Sequence, residues 1–142
     1  RAEVALRAIR STLMKLENAL NAGDRGLMRS LFGDSAQVVT RAKRISAFTG
    51  TRQDLRGLLW EGGDSESYCR LAVNEVALLS DVVAYSAVML HLYLVRDDKP
   101  VLSTAHYLVV LGKDPPASDW SILLLHHLSG ARATAGEKSD QR

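Results

Sequence analysis

Imidazole and phenol side chains are threaded through apolar segments in the last third of the chain, and their chemistry could serve a functional site. Imidazole acts as a general base or a metal ligand, and a phenol can donate a hydrogen bond to a ligand carbonyl. These side chains therefore predict a pocket wall. They are His91, Tyr93, His106, Tyr107, His126 and His127, with Tyr85 at the start of the first segment.

Three long apolar runs must position these side chains. The runs cover residues 82–95, 101–111 and 120–128, and Asp, Pro or Gly closes each of them, which is typical of β-strands joined by turns. Because the runs are apolar at nearly every position, we expect both faces of the resulting sheet to be covered. Residues 68–79 form a fourth extended segment before them.

The first half of the chain predicts helices and two short strands. Leu6, Ile9, Leu13, Leu16 and Leu20 recur at steps of three and four, which gives one apolar stripe on a helix of about five turns. A glycine and an aspartate then end that helix and begin a second one. Short strands over 36–40 and 45–49 and a third helix over 52–61 follow. Helices followed by a run of strands indicate the α+β class.

Composition limits the classes of protein that the sequence can represent. The 142 residues are 46% hydrophobic and 24% charged, as in an ordinary globular domain. Residues 1–56 carry eleven Lys and Arg against five Asp and Glu, but the basic residues are dispersed along helices, so we expect no nucleic-acid partner. The longest apolar run is shorter than a membrane span, and no charged-then-apolar leader opens the chain. A single cysteine, Cys69, fits a reducing compartment, and we expect a cytoplasmic protein.

Three segments of the chain carry a family resemblance. They are the corner Asn21-Ala22-Gly23-Asp24, the strand entry Lys99-Pro100 and the closing segment Trp120…His127-Leu128-Ser129-Gly130. In order and spacing they resemble the nuclear transport factor 2-like superfamily, and most closely its SnoaL-like group and the association domain of calcium/calmodulin-dependent protein kinase II. The resemblance covers about residues 3 to 130. It implies a cone-shaped, cystatin-like fold, in which a curved antiparallel sheet of four long and two short strands wraps round the first of about three helices. We expect one domain over residues 1–130 and a disordered tail over 131–142.

Strand pairing then predicts which side chains share a face. If Arg96-Asp97-Asp98-Lys99 is the connection, Val95 faces Pro100, and the residues before Val95 pair antiparallel with those after Pro100. One face becomes polar-threaded and the other apolar. We expect the polar-threaded face to line the pocket and the apolar face to contact a second subunit, since the resemblance implies pairing through the outer face. The predicted ligand-binding residues are Phe48, Trp60, Arg70, Met89, His91, Tyr93, His106 and His127.

The chemistry of such a pocket is constrained by its acids. The aspartates all lie in predicted turns, loops or helix starts, and Glu75 is the one acid inside a long strand. An isomerase-type mechanism must therefore rest on a histidine. His127 is the first candidate, because it stands at the motif position and alternation sends His126 to the other face. His91, His106 and Tyr93 are the further catalytic candidates. No acid or cysteine accompanies the histidines at ligand spacing, so we expect neither a metal nor a cofactor.

Three functions remain open from the sequence. The favoured one is a stand-alone homodimer that binds a small apolar or weakly polar molecule in the cone pocket. The second is an isomerase, dehydratase or cyclase that uses a pocket His and Tyr. The third is an oligomerisation module that resembles the kinase association domain. The sequence determines neither the ligand nor whether the protein is an enzyme.

Overall fold

Three helices and six strands make up the fold. The computed structural model describes residues 2–48, 54–60, 63–114 and 119–134, the last four by their backbone alone. In chain order the elements are α1 (Ala2–Ala22), α2 (Arg25–Leu31), β1 (Phe32–Val39), β2 (Arg44–Ile45), α3 (Leu55–Trp60), β3 (Tyr68–Leu78), β4 (Val83–Arg96), β5 (Lys99–Gly112) and β6 (Ser121–Thr134). The predicted α+β class and the predicted order of elements are confirmed.

The six strands form one curved, unclosed sheet in the order β2-β1-β6-β5-β4-β3. Strands β3 to β6 pair antiparallel as a meander, while β1 runs parallel to β6. The prediction of a purely antiparallel sheet is therefore wrong at one junction. The chain reaches β1 through two helices, so β1 enters the sheet beside the last strand with no hairpin to impose an antiparallel direction.

The β4–β5 hairpin has the register that the sequence predicts. Val95 pairs with Pro100, and the ladder continues without a shift to Val83 and Gly112. Asp97 and Asp98 form the two-residue connection, with φ of 51° and 64°. Two consecutive positive φ values belong to the turn whose twist matches that of the flanking strands, and Asp tolerates them.

Several element boundaries differ from the prediction, and β1 begins at Phe32 and not at 36. Strand β2 is only two residues long, and the predicted 45–49 strand runs into bends and then leaves the described residues at 49. At the other end, β6 continues to Thr134, four residues past the predicted domain end at 130. Residues 131–134 pair with the start of β5, so the length of that partner strand, and not local apolarity, sets the end of β6. The rest of the predicted tail lies outside the described residues.

Helix α1 packs its apolar stripe against the concave face of the sheet. Ile9, Leu13, Leu16 and Leu20 are at most 1% exposed, and they join the sheet's inner side chains in one core. Polar residues between them, such as Lys15, face solvent. The amphipathic spacing thus decides which side of the helix the sheet surrounds. Among the described residues, no helix is long and apolar enough to cross a membrane.

A glycine corner turns α1 into α2. Gly23 has φ of 65°, and its N–H donates to the carbonyl of Leu20 at 3.3 Å, while the Asp24 N–H donates to the carbonyl of Ala19 at 3.0 Å. This pair of bonds is the Schellman helix end, which favours glycine. The Asp24 carboxylate then accepts from the N–H of Leu27 at 3.0 Å and caps α2.

Two polar side chains of α1 bind the outer edge of β3, which is an end strand of the sheet. The Asn21 amide accepts from the Cys69 N–H at 2.7 Å and donates to the Cys69 carbonyl at 3.0 Å. One turn earlier, the Glu17 carboxylate accepts from the Leu71 N–H at 2.7 Å. We call these three bonds the edge clamp. They satisfy strand groups that would otherwise be open to pairing with another chain.

Shortening a core residue of α1 should lower stability without changing the fold. We expect Leu16→Ala to reduce the free energy of unfolding by about 2–5 kcal/mol, because it removes buried methyl groups and leaves a cavity. The measurement is urea denaturation followed by circular dichroism. Lys15→Ala, one residue away on the exposed side, should change stability by less than about 0.5 kcal/mol. If both substitutions lowered the free energy of unfolding equally, the buried side of α1 would be assigned wrongly.

The Cys69 thiol should be unreactive in the folded protein. Burial and, to a smaller extent, the Glu17 carboxylate raise its pKa from an ordinary 9.0 to about 12, against the opposing effect of Arg56. At pH 8 the native thiolate population should be about a thousandfold below that of the unfolded chain. A disulfide reagent such as DTNB should therefore label Cys69 only in denaturant.

The same pKa shift gives a direction for stability against pH. Above about pH 9 the unfolded chain loses its thiol proton before the folded one does. The contribution of Cys69 is therefore complete below that pH and is lost as the pH rises towards 12. Rapid labelling of the native protein at pH 8 would contradict the burial of this thiol.

Candidate functional site

The two faces of the long strands are reversed relative to the prediction. The apolar set faces α1 and is buried, while the polar-threaded set lies on the convex outer side and is half-buried or exposed. The inner set comprises Val88, Leu90, Leu92, Leu94, Val101, Ala105, Tyr107 and Val109, and the outer set comprises Tyr85, Met89, His91, Tyr93, Thr104 and His106. The predicted pairs are right, and the choice of inside and outside is wrong.

The apolar stripe of α1 explains the reversal. Leu13, Leu16 and Leu20 need an apolar surface opposite them, and burial contributes roughly 25 cal/mol for each Å² of apolar area removed from water. Placing imidazoles against this stripe would bury polar nitrogens without partners, at a cost of about 1–3 kcal/mol each. The helix and the sheet therefore join their apolar faces.

One cavity inside the concave side brings polar groups together, and we call it the mouth. It lies between the β1–β2 turn, α3 and the middle of β5 and β6, and its volume of about 20 Å³ is enough for one water. The residues that line the mouth are Thr40, Arg41, Leu58, Leu59, Leu92, Ser103, Thr104, Ala105, Tyr107, His127 and Gly130.

An imidazole and a phenol ring meet in the mouth. The rings of Tyr107 and His127 are 5.4 Å apart between centroids, with their planes at 86°. Gly130 lies close to them. A Cβ at position 130 would lie 3.3 Å from Nε2 of His127 and 2.8 Å from the carbonyl oxygen of Thr104. Glycine at 130 therefore lets the backbone of β6 approach this imidazole and the neighbouring strand closely.

Register shifts in β6 decide which histidine enters the mouth. His127 pairs with the inward residue Tyr107, and His126 pairs with Leu108 on the outer side. Nδ1 of His126 lies 2.8 Å from the carbonyl oxygen of His127. A second shift after Tyr107 pairs Ser129 with the exposed His106. Ser129 thus does not share the inner face with His127, contrary to the expected alternation, because the irregularity at 128 inserts one residue.

A second cavity, the floor, continues from the mouth toward α1. Its volume is smaller, about 10 Å³. Among the described residues that line it, the Tyr107 phenol is the one polar side-chain group. Leu59 and Tyr107 border both cavities, so these two side chains separate them. The floor is lined by Leu16, Leu20, Leu59, Leu71, Val88, Leu90, Tyr107 and Leu125.

Most of the predicted ligand-binding residues lie away from these cavities. Met89, His91, Tyr93 and His106 are on the outer face, where Tyr93 stacks on Tyr68 with ring centroids 4.8 Å apart. Their prediction as pocket residues followed from the reversed faces and is corrected with them. His127 is the predicted site residue that lines the mouth.

The three other predicted residues have different surroundings. Phe48 is fully buried and packs on Phe32, with ring centroids 4.6 Å apart, so it is a core residue. Arg70 is exposed on the outer side of β3 and pairs with His91 across the ladder. Trp60 is 4% exposed, and Arg56 lies 5.3 Å above its ring. None of the three borders the mouth or the floor among the described lining residues.

The larger hollows lie on the outer side of α3. A shallow one of about 370 Å³ and a smaller one of about 140 Å³ share Asp54 and Arg56. The indole nitrogen of Trp60 and Nε of Arg56 are buried without a hydrogen-bond partner. However, both acids and bases line these hollows, and no imidazole or phenol does among the described residues. The mouth therefore offers the more defined chemistry despite its smaller volume.

The outer face of β4, β5 and β6 is uncharged. From Val83 to Val95 and from Pro100 to Val110 its side chains include no Asp, Glu, Lys or Arg, and the described outward positions of β6 add none. Charged outer groups are on β3, where Glu75 accepts a hydrogen bond from the Tyr85 hydroxyl at 3.2 Å. The Glu75 charge and this bond raise the pKa of Tyr85. Glu75 is therefore an exposed edge residue and lies outside the mouth.

No set of three or more His, Cys, Asp or Glu side chains in the described part of the chain could hold a metal ion. His127 supplies the one imidazole of the described mouth lining, which contains no carboxylate. Its surroundings suit hydrogen bonding to an organic ligand.

Comparison with known proteins gives a likeness of structure. No family model and no curated protein sequence matches the chain. A nuclear transport factor 2-like superfamily protein from Salmonella enterica superimposes with a TM-score of 0.76 at 16% identity, over 97% of this chain and 99% of that chain. A hexachlorocyclohexane dehydrochlorinase (LinA, type 2) superimposes with a TM-score of 0.77 at 14% identity, over 99% and 95%. The chain has the nuclear transport factor 2-like fold.

Sequence reasoning missed several residues that this nuclear transport factor 2-like cone brings to its mouth. Tyr107 is among the phenols that predict a pocket wall, but strand parity places it on the apolar face, which was expected to contact a second subunit, and Arg41 was not considered. Ser103, Thr40 and Gly130 were not considered. One available signal was the apolar stripe of α1, because only the apolar face of the sheet can complement it. With that choice, the predicted register alone would have placed Tyr107 and Ser103 inside.

Proposed function

We propose that the protein binds a small, apolar or weakly polar molecule in a pocket formed by the mouth and the floor, and that it does so as a homodimer. The apolar part of the ligand occupies the floor, and its polar group contacts His127 and Tyr107. Rotation of Leu59 and Tyr107, which separate the two cavities, joins them into one pocket. The cytoplasmic location predicted from the sequence stays a prediction.

The meeting of His127 and Tyr107 over Gly130 carries this proposal. A core that needed only packing would not require an imidazole and a phenol at one opening. A few convergent polar groups in front of an apolar cavity are typical of small-molecule sites. The residues that line the floor behind them are aliphatic apart from Tyr107.

The uncharged outer face supports the homodimer. The uncharged strands β4 to β6 form a patch that spans about 40 by 14 Å, or roughly 560 Å², at about 3.3 Å per residue and 4.8 Å between strands. With β3, whose outer side carries charged groups, the area is about 760 Å², close to the roughly 800 Å² per partner of a standard interface. Solvent-facing sides of antiparallel sheets normally alternate with polar and charged residues. Leu102, Leu123 and Leu128 are 42%, 40% and 57% exposed at or beside this patch.

A catalytic role is the second candidate, and the Tyr107–His127 pair favours it. With no carboxylate among the described lining residues, His127 would serve as the base and the Tyr107 hydroxyl as the donor to a substrate carbonyl. This pairing replaces the one predicted with Tyr93, which lies on the outer face. The dehydrochlorinase with a similar structure shows that the fold can carry an eliminating enzyme, but the fold alone does not transfer that activity.

An association module is the third candidate, and the small size of the two cavities favours it. A cone filled by its own side chains needs no ligand, and its outer face would then be the functional surface. The two experiments below separate this candidate from the pocket, because one reports on the inner histidine and the other on the outer face.

The adjacent histidines provide a matched test of the pocket. We expect hexanamide, a neutral probe with a short apolar chain, to shift amide resonances of Tyr107, Gly130 and Leu90 in a ¹H–¹⁵N NMR titration. His127→Ala should weaken its binding by about threefold or more, because one polar contact contributes about 1 kcal/mol. His126→Ala, which removes the same ring from the outer face, should leave the dissociation constant unchanged. The reverse pattern would show that the inward and outward positions of β6 are assigned the wrong way round.

A charge placed at the centre of the outer face should split the dimer. Light scattering at micromolar concentration should give about 31 kDa, twice the 15.5 kDa of one chain. Met89→Lys should shift the mass to that of the monomer, since a desolvated unpaired charge is costly. Ser11→Lys, which adds the same charge to the exposed side of α1, should remain dimeric. A monomeric parent protein would refute this part of the proposal.

A further inference from the structure

Three of the four histidines lie on the outer face of the sheet, one on each of the strands β4, β5 and β6. They are His91, His106 and His126. His106 is exposed, and the other two are half-buried. The described outward side chains between the ends of these strands include no Asp, Glu, Lys or Arg. Imidazole is therefore the group on this face whose charge changes near neutral pH.

The strand registers place these three imidazoles on one diagonal of the sheet. His91 pairs with Thr104 across the β4–β5 ladder, and His126 pairs with Leu108 across the β5–β6 ladder. On β5, Thr104 lies two residues before His106, and Leu108 lies two residues after it. Each imidazole is thus one diagonal step from the next, a step of about 7–8 Å on an antiparallel sheet. We call His91, His106 and His126 the histidine row.

An arginine stands beyond each end of the histidine row. Arg70 pairs with His91 across the β3–β4 ladder. At the other end Val39 pairs with both His126 and Arg44, so that Arg44 lies one strand further out. Guanidinium groups keep their charge at all pH values of interest. Protonation of the row therefore adds to flanking charge of the same sign.

The other titratable group on this side of the sheet is an acid at the β3 edge. Glu75 pairs with Ala87 and accepts the hydrogen bond from the Tyr85 hydroxyl. Carboxyl and phenol groups keep their ordinary charge between about pH 5 and 7.5. Within the row, Nδ1 of His126 donates to the carbonyl oxygen of His127 at 2.8 Å, because a carbonyl can only accept. The further proton of His126 therefore binds at Nε2.

We propose that the histidine row makes the homodimer sensitive to pH: two copies associate while the three imidazoles are neutral and separate when these bind protons. This inference rests on the homodimer proposed above and adds its regulation. In a symmetric dimer both copies bring the same surface to the interface, so protonation places two rows of like charge there. Charges removed from water without partners of opposite sign destabilise an interface.

The direction of the pH dependence follows from solvation. Separation of the subunits exposes the imidazoles to water, which solvates their charged form, so the monomer binds more protons than the dimer. The dissociation constant of the dimer is therefore lowest above the range in which imidazole titrates, and it rises as the pH falls through that range.

Sedimentation of the full chain at pH 7.5 and at pH 5.0 tests the inference. EDTA is present throughout, so that no metal ion bridges histidines of two copies. We expect the dissociation constant to be at least about a hundredfold higher at pH 5.0. Return to pH 7.5 should restore the dimer, and circular dichroism at both pH values should show the same helix and strand content.

Three variants assign the pH dependence to the histidine row. Glutamine keeps a neutral side chain that forms hydrogen bonds but does not titrate. The triple variant His91→Gln/His106→Gln/His126→Gln should be dimeric at both pH values, with dissociation constants that differ by less than about threefold. His106→Gln alone should remove about a third of the logarithmic change. Glu75→Gln, which removes the acid at the β3 edge, should keep the response of the parent protein.

The outcomes separate the pH dependence from the homodimer. A parent protein that is equally dimeric at pH 7.5 and 5.0 would overturn the pH dependence and leave the homodimer standing. A triple variant that separates at pH 5.0 as the parent does, or that is already monomeric at pH 7.5, would overturn the role of the histidine row. Loss of the response in Glu75→Gln would overturn it as well. A parent protein that is monomeric at both pH values would overturn the homodimer and the inference together.

Discussion

The packing of the α1 stripe against the concave face of the sheet is the constraint on which the rest of the structure depends. Ile9, Leu13, Leu16 and Leu20 are buried only because β3 to β6 curve around them. The edge clamp then sets the position of the helix, since Asn21 and Glu17 bind backbone groups of β3 that no strand occupies. Hydrophobic burial supplies the driving force, and these directional bonds supply the register.

That packing also decides the chemistry of both surfaces. Once the apolar face turns inward, the imidazoles of His91 and His106 must face outward, where solvent or a second chain can satisfy them. The inward face of the long strands retains four polar residues, Ser86, Ser103, Tyr107 and His127. The last three line the mouth, and Tyr107 also borders the leucines of the floor.

Small irregularities in β6 fix the details of the site. The sheet would alternate without interruption if β6 matched β5 residue for residue, but the register shifts twice. Between those shifts His127 enters the mouth and His126 stays outside. After the second shift, Gly130 pairs with Ala105 beneath the imidazole. A shift of one residue in β6 thus decides which of the two imidazoles, His126 or His127, faces the mouth. Bulges near functional sites commonly redirect side chains in this way.

Local patterns in the sequence were sufficient for the elements and for one hairpin. The spacing of leucines predicted α1, Gly23 and Asp24 predicted the corner, and Asp97 with Asp98 predicted the β4–β5 register, because each depends on near neighbours in the chain. Parity also separated the two faces of the long strands correctly. Near neighbours in the chain do not decide which face is inner, since that depends on the apolar stripe that α1 presents from some seventy positions away.

The site itself was decided by tertiary structure. Arg41, Ser103, Tyr107 and His127 come from three separate strands or turns, and no spacing along the chain relates them. The parallel pairing of β1 with β6 brings the Arg41 turn beside the last strand, and two bulges orient His127. His127 was chosen from a motif, but its partners follow from these long-range pairings. The sequence encodes the side chains of the mouth, and only the curvature of the sheet around α1 brings them together.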